Sequence, residues 1–194
     1  LVGGGEARQR YVIDHGVIDA FSVPEGGKPH SGHISEPEVK QLLDELLDRT
    51  WPDFLGNRRQ IDMLGIDGNY STADVFEWAR RHPLSRVIMV RGVPQEYAAI
   101  LAVVRGDKNS KGKERKYRKR FFNLAVSVLK LHLYRGLKKT DPEAMGYVHL
   151  PKGLPDEYFV QLVSERRVAE KARSGVTEYR WKLPEGVRNE ALDT

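Results

Sequence analysis

Residues 61–92 contain Ile61-Asp62-Met63-Leu64-Gly65-Ile66-Asp67, then Gly68-Asn69-Tyr70-Ser71-Thr72, then Ala73-Asp74-Val75-Phe76-Glu77-Trp78-Ala79-Arg80-Arg81, and, beyond His82-Pro83, Arg86-Val87-Ile88-Met89-Val90-Arg91-Gly92. The first segment is a short, mostly apolar strand. The second is a polar turn whose Ser71 or Thr72 can cap a helix. The third has the apolar spacing of that helix, and His82-Pro83 closes it. The fourth is a second buried-type strand. A strand–helix–strand unit of this size suits a right-handed parallel crossover, which places the chain in the α/β class. The expectation is a mixed central sheet flanked by helices, with strand 61–67 near its middle and Asp67 at its carboxyl end.

Alternating elements continue on both sides. Gln9 to Gly16 reads as a strand ending at a glycine turn, and residues 21–34 as a Gly/Pro/Ser/His loop. Ser35 is a candidate N-cap for a helix to about Arg49, with Val39, Leu42, Leu43, Leu46 and Leu47 on its apolar face. Downstream, Phe121–Ser127 alternates like a strand, a helix follows from Val128 and stops at Gly136, and Gly146–Pro151 is a short strand. Pro155 to about Arg173 is predicted as a helix with Tyr158, Phe159, Leu162 and Val163 inward, and Thr177–Leu183 as a strand.

With 194 residues, 40% hydrophobic and 30% charged, the chain has material for one core and is read as a single domain over 1–194. There are no cysteines, which excludes disulfides, thiol catalysis and Cys-ligated metal sites. No run approaches the 18 or so apolar residues of a membrane span. The net charge of +5 permits an anionic partner without establishing one. Residues 105–120 are more basic than the whole: nine Lys or Arg stand against two acids. Here Lys108, Lys111, Lys113, Arg115, Lys116, Arg118, Lys119 and Arg120 are candidate phosphate contacts that would hold nucleic acid without reading sequence; a solvated loop is the alternative. Five residues separate Gly106 from Gly112, and Glu114 follows Lys113, so this is not a phosphate-binding loop of the NTPase kind.

Three carboxylates could carry chemistry. Asp67 stands where open α/β sheets bind ligands, although an Asp there can equally cap its own turn. Glu190 and Asp193 are three residues apart and share a helix face, where two hard oxygen donors suit Mg²⁺ or Mn²⁺; Glu190 can also simply occupy the favoured first turn. His30 and His33 form a weaker pair with no third ligand at fixed spacing. Lys130, on an apolar helix face, reads as a snorkelling lysine.

Taken in order, Ile66–Phe76, Val87–Gly92, Val148-His149-Leu150-Pro151, Tyr179-Arg180-Trp181 and Arg188-Asn189-Glu190-Ala191-Leu192-Asp193 resemble the nuclease half of the lambda-type large subunit of tailed-phage DNA-packaging terminases. Tyr11–Ile18 and the helix at 38–49 also fit. The resemblance implies an RNase H-like fold and a metal-dependent endonuclease cutting double-stranded concatemeric DNA. It implies Asp67 as the central-strand ligand, Glu190 and Asp193 as the helix ligands, and two Mg²⁺ or Mn²⁺ ions. It further implies a packaging ATPase upstream, the terminase small subunit and the portal or procapsid as partners, and the infected host's cytoplasm as location. With Leu, not Met, at position 1, the expectation is that the chain is a fragment of a longer protein. The first-strand Asp of the family precedes the segment aligned with Leu1–Gly4, and Asp14 lies on the next strand, so a fragment lacking that Asp is expected to cleave weakly or not at all. A non-catalytic DNA-docking domain and a resolvase-like nuclease of the same fold are the other readings.

Overall fold

The computed structural model describes residues 2–4, 8–16, 32–94, 99–104, 111–112, 117, 120–172 and 175–193. In chain order the elements are β1 (Val2–Gly4), β2 (Arg10–Val12), α1 (Pro37–Asp48), β3 (Trp51–Pro52), β4 (Arg58–Arg59), β5 (Leu64–Asp67), α2 (Thr72–Ala79), β6 (Val87–Val93), β7 (Leu101–Val103), β8 (Phe121–Ala125), α3 (Val126–Leu137), β9 (Val148–His149), α4 (Asp156–Leu162), β10 (Arg166–Lys171), β11 (Thr177–Lys182) and α5 (Glu190–Asp193). The fold is mixed α/β. The chain forms two compact units: one of Leu1–His15, Val93–Ile100 and Ala125–Thr194, the other of Gly16–Gly92 and Leu101–Leu124.

The second of these units contains the predicted strand–helix–strand. β5 and β6 are parallel, with Leu64 opposite Val87 and Asp67 opposite Val90. β7 and β8 are antiparallel, and the four strands run in the order β5-β6-β8-β7. Strand 61–67 was expected near the middle; β5 instead stands at the end of this order. The burial pattern gives the reason. Val87, Ile88 and Met89 are buried in succession, as a strand covered on both faces requires, whereas β5 alternates half-buried Leu64 and Ile66 with exposed Gly65 and Asp67. The described strands also form four separate sheets, not one.

Leu47, Val75, Trp78, Ala79, Val87 and Met89 form the core of this unit, with Leu64, Ile66 and Phe121 packed against it. The Asp44 carboxylate of α1 fastens α2 and the turn after it. It accepts hydrogen bonds from Trp78 Nε1 at 2.9 Å and His82 Nε2 at 3.0 Å, and pairs with Arg81. The cap of α1 is Glu36, not Ser35, and its carboxylate accepts the His33 N–H at 2.9 Å.

The other unit holds the three-stranded sheet β1-β2-β9, with β1 antiparallel and β9 parallel to β2. Tyr158, Leu162 and Ala191 form its buried cluster, packed with Val12, Leu133, Leu137, Leu150 and Leu154. The helix expected over 155–173 ends at Leu162. Residues 166–171 pair instead with 177–182 as an antiparallel hairpin, Arg166 opposite Lys182 and Lys171 opposite Thr177. Arg166-Arg167-Val168-Ala169-Glu170-Lys171 carries too little apolar surface to hold a helix onto a core, while Gly175, at φ +82°, supplies the turn that lets the two strands pair. Of the four residues expected inward, Tyr158 and Leu162 are buried, whereas Phe159 and Val163 are exposed.

The stop expected at Gly136 falls within one residue of the observed end of α3 at Leu137, and Gly136 lies buried in the last turn. A Cβ there would stand 2.6 Å from the Gly146 carbonyl oxygen and 2.7 Å from Val148 Cγ2. Gly136→Ala gains up to about 1 kcal/mol of helix propensity, but overpacking costs typically 1–3 kcal/mol. Because one obstacle is backbone, the clash should win. Urea denaturation should show a net loss of about 1–2 kcal/mol; an unchanged or raised midpoint would contradict the close packing.

Candidate functional site

Asp67 is the last residue of β5 and its side chain is exposed. It leaves the sheet on the side opposite Leu64 and Ile66, which pack on the core. One of its oxygens, Oδ1, accepts the Asn69 N–H at 2.9 Å. The turn-capping alternative is therefore realised, and it holds the carboxylate in a fixed orientation. Gly68 continues the parallel ladder by donating to the Val90 carbonyl at 2.9 Å. A Cβ at Gly68 would lie 2.5 Å from Phe121 Cζ and 2.9 Å from Met89 Cε, so no side chain fits directly after the carboxylate. Ser71 then adopts a left-handed backbone, φ +48°, and its hydroxyl bonds Asp74 Oδ2 at 2.5 Å. Thr72 Oγ1 donates to the Gly68 carbonyl at 2.6 Å, tying the start of α2 back to the strand end. Tyr70 projects from this loop, 74% exposed, with its ring 5.6 Å from that of His33.

Glu190 and Asp193 both lie on α5. The Glu190 carboxylate is exposed and meets Arg188 Nε at 3.0 Å. Its own backbone N–H and then the Arg188 guanidinium hold its pKa below the usual glutamate range, so it is ionised at neutral pH. The segment bearing it is anchored from inside the same unit. Asn189 Nδ2 donates to Glu165 Oε1 at 2.7 Å, and the Ala191 N–H donates to Gln161 Oε1 at 3.1 Å. Glu165 is buried and forms a 2.6 Å ion pair with Lys130, itself only 12% exposed. Lys130 is thus a largely enclosed charge with a buried partner, not a snorkelling lysine. Nothing local signals this, because Glu165 is 35 residues away.

Asp67 belongs to one compact unit and Glu190 with Asp193 to the other. Among the described residues, no group of three or more His, Asp or Glu side chains could hold a metal ion. Asp14 Oδ1 accepts the His15 N–H at 2.9 Å. His33 Nδ1 bonds Ser35, and His30 lies outside the described residues. Of the basic stretch, Lys111 is exposed, while Arg120 donates to the carbonyls of Val87 and His82 at 3.0 and 2.6 Å. Lys108, Lys113, Arg115, Lys116, Arg118 and Lys119 lie outside the described residues.

Removing one member of a buried ion pair strands the other, typically at about 3–5 kcal/mol. Lys130→Met and Glu165→Leu should each destabilise by roughly that much, and the double variant should lose clearly less than the two together. Additivity within about 0.5 kcal/mol in a double-mutant cycle would show that the pair is not coupled.

The whole chain, residues 1–194, matches the family model described as terminase large subunit gpA, endonuclease domain. No match was found among curated proteins or among solved structures. The family expected from the ordered segments around Asp67 and Asn189–Asp193 is thus the one found, and the chain belongs to the endonuclease domains of terminase large subunit gpA.

Proposed function

We propose that residues 1–194 form one nuclease domain, which, within the intact large subunit, cuts double-stranded concatemeric DNA by divalent-metal-dependent phosphodiester hydrolysis. The observation that carries the reading is Asp67. It is an oriented, exposed carboxylate at the carboxyl end of a parallel strand pair, on a chain of the terminase endonuclease family. Glu190, ionised and seated on an anchored segment, and Asp193 are the companion carboxylates. All three are hard oxygen donors of the kind Mg²⁺ and Mn²⁺ prefer. Such ions, used in pairs, activate water and stabilise the leaving oxygen. Among the described residues, no three such donors come together in one place.

Lys111 and its basic neighbours at 105–119 would hold phosphates without sequence preference. Arg120 serves the sheet, through its bonds to Val87 and His82. The implied partners are duplex DNA, the terminase small subunit and the portal or procapsid, met in the host cytoplasm. No described helix is long and apolar enough to cross a membrane.

Asp67→Asn is nearly isosteric and removes the charge without removing the side chain that caps the turn. In the intact large subunit it should abolish Mg²⁺- or Mn²⁺-dependent cleavage, with duplex affinity and melting temperature retained. Full cleavage by this variant would remove Asp67 from the site. Metal-dependent cleavage absent from the wild-type protein, with DNA binding retained, would favour a docking domain.

A further inference from the structure

Phe54 and Leu55 are the two large apolar side chains of the 48–60 segment that lie most fully in solvent, 94% and 71% exposed. Both sit at the tip of the β3–β4 ribbon, in the turn Asp53-Phe54-Leu55-Gly56. The backbone of the turn that carries them is held by several hydrogen bonds. The Gly56 N–H donates to the Asp53 carbonyl at 2.9 Å, and Gly56 takes the left-handed backbone, φ +83°, that completes the turn. The Asp53 carboxylate accepts the N–H groups of Leu55 at 3.0 Å and Asn57 at 2.8 Å, and meets Arg59 Nε at 3.0 Å. Desolvation pushes the Asp53 carboxyl up, yet these hydrogen bonds outweigh it and hold its pKa below the usual carboxylate range.

The flanks are cationic. Arg58, on exposed β4, is braced by Thr50, its Nε on the hydroxyl at 2.9 Å and its Nη2 on the carbonyl at 3.2 Å. Arg59 remains 71% exposed. Arg49 lies over the Trp51 ring at 5.2 Å. Between residues 49 and 60 the sequence carries three arginines and one acid. In the stretch that follows the tip, Asn57, Arg58, Arg59 and Gln60 are all polar or cationic, which favours an anionic partner. Apolar side chains on a rigid narrow ribbon, flanked by phosphate-neutralising guanidiniums, have the form of a wedge that enters a groove and opens a base step.

We infer that Phe54 and Leu55 insert between base pairs of duplex DNA, kinking it, while the arginines at the root of the ribbon hold the backbone. This rests on the DNA-cutting reading above and assigns that reading a second contact, separate from the 105–120 stretch. Deforming a base step selects for flexible steps at positions read by no hydrogen bond, so the wedge would also bias where the DNA is held.

The test uses the intact large subunit and a 30-base-pair duplex carrying 2-aminopurine at a central TA step and a dye at each end. Wild-type protein should raise 2-aminopurine fluorescence and end-to-end energy transfer. Phe54→Ala/Leu55→Ala should keep its melting temperature, since both side chains are exposed. It should lose the 2-aminopurine rise, bind about tenfold more weakly, and keep its salt dependence. Arg58→Ala should instead flatten the slope of log affinity against log salt by about one. An unchanged 2-aminopurine signal and affinity in the double variant would overturn the wedge. If that variant also failed to associate with the small subunit, the tip would be a protein contact. Failure of wild-type protein to bind duplex would overturn the DNA reading itself.

Discussion

The missing side chain at Gly68 is the constraint on which the β5 end depends. Phe121 and Met89 occupy the space that any Cβ would need, so β8 and β6 close over the backbone directly after the strand. The core is sealed at that point, the ladder runs on through the Gly68–Val90 bond, and the chain turns sharply into α2. Asp67 is consequently the last residue able to present a side chain from this strand, and it presents it outward. Gly68→Ala would have to displace an aromatic ring from the core to keep the same turn.

Polar anchors fix the elements that carry charge. Asp44 ties α1 to Trp78, Arg81 and His82, which holds α2 against the core. In the other unit, Glu165 gathers Lys130 and Asn189 and so fixes the stretch just before α5. A pair as little exposed as Glu165–Lys130 contributes little net stability compared with apolar packing, but it penalises any arrangement in which one partner is lost. Its effect is to define position, which an exposed carboxylate such as Glu190 needs more than it needs stability.

The strand–helix–strand at 61–92 was legible because its periodicity, its turn and its proline stop agree locally. The exposed position of Asp67 at the end of β5 was legible because strand ends in α/β sheets are exposed by topology. What failed depended on partners distant in sequence. The 166–171 strand is defined by pairing with 177–182, and its alternation of charge with Val and Ala is ambiguous in isolation. Gly136 marks the end of α3 to within one residue, but only the approach of Gly146 and Val148 shows why a side chain is excluded there. Lys130 could not be matched with Glu165 from spacing. The edge position of β5 was recorded in the sequence, in Gly65 and Asp67 on one face, but was outweighed by the apolar run. The Phe54–Leu55 tip carried a usable signal in Asp53 and Gly56 flanking two apolar residues, a turn pattern with its centre exposed.

A crystal structure of the intact large subunit in Mn²⁺, with the ions located by anomalous scattering, would show whether Asp67 holds metal. Mn²⁺ should be found bound through an Asp67 carboxylate oxygen. Mn²⁺ bound away from Asp67, with that carboxylate still engaged only by Asn69, would contradict it.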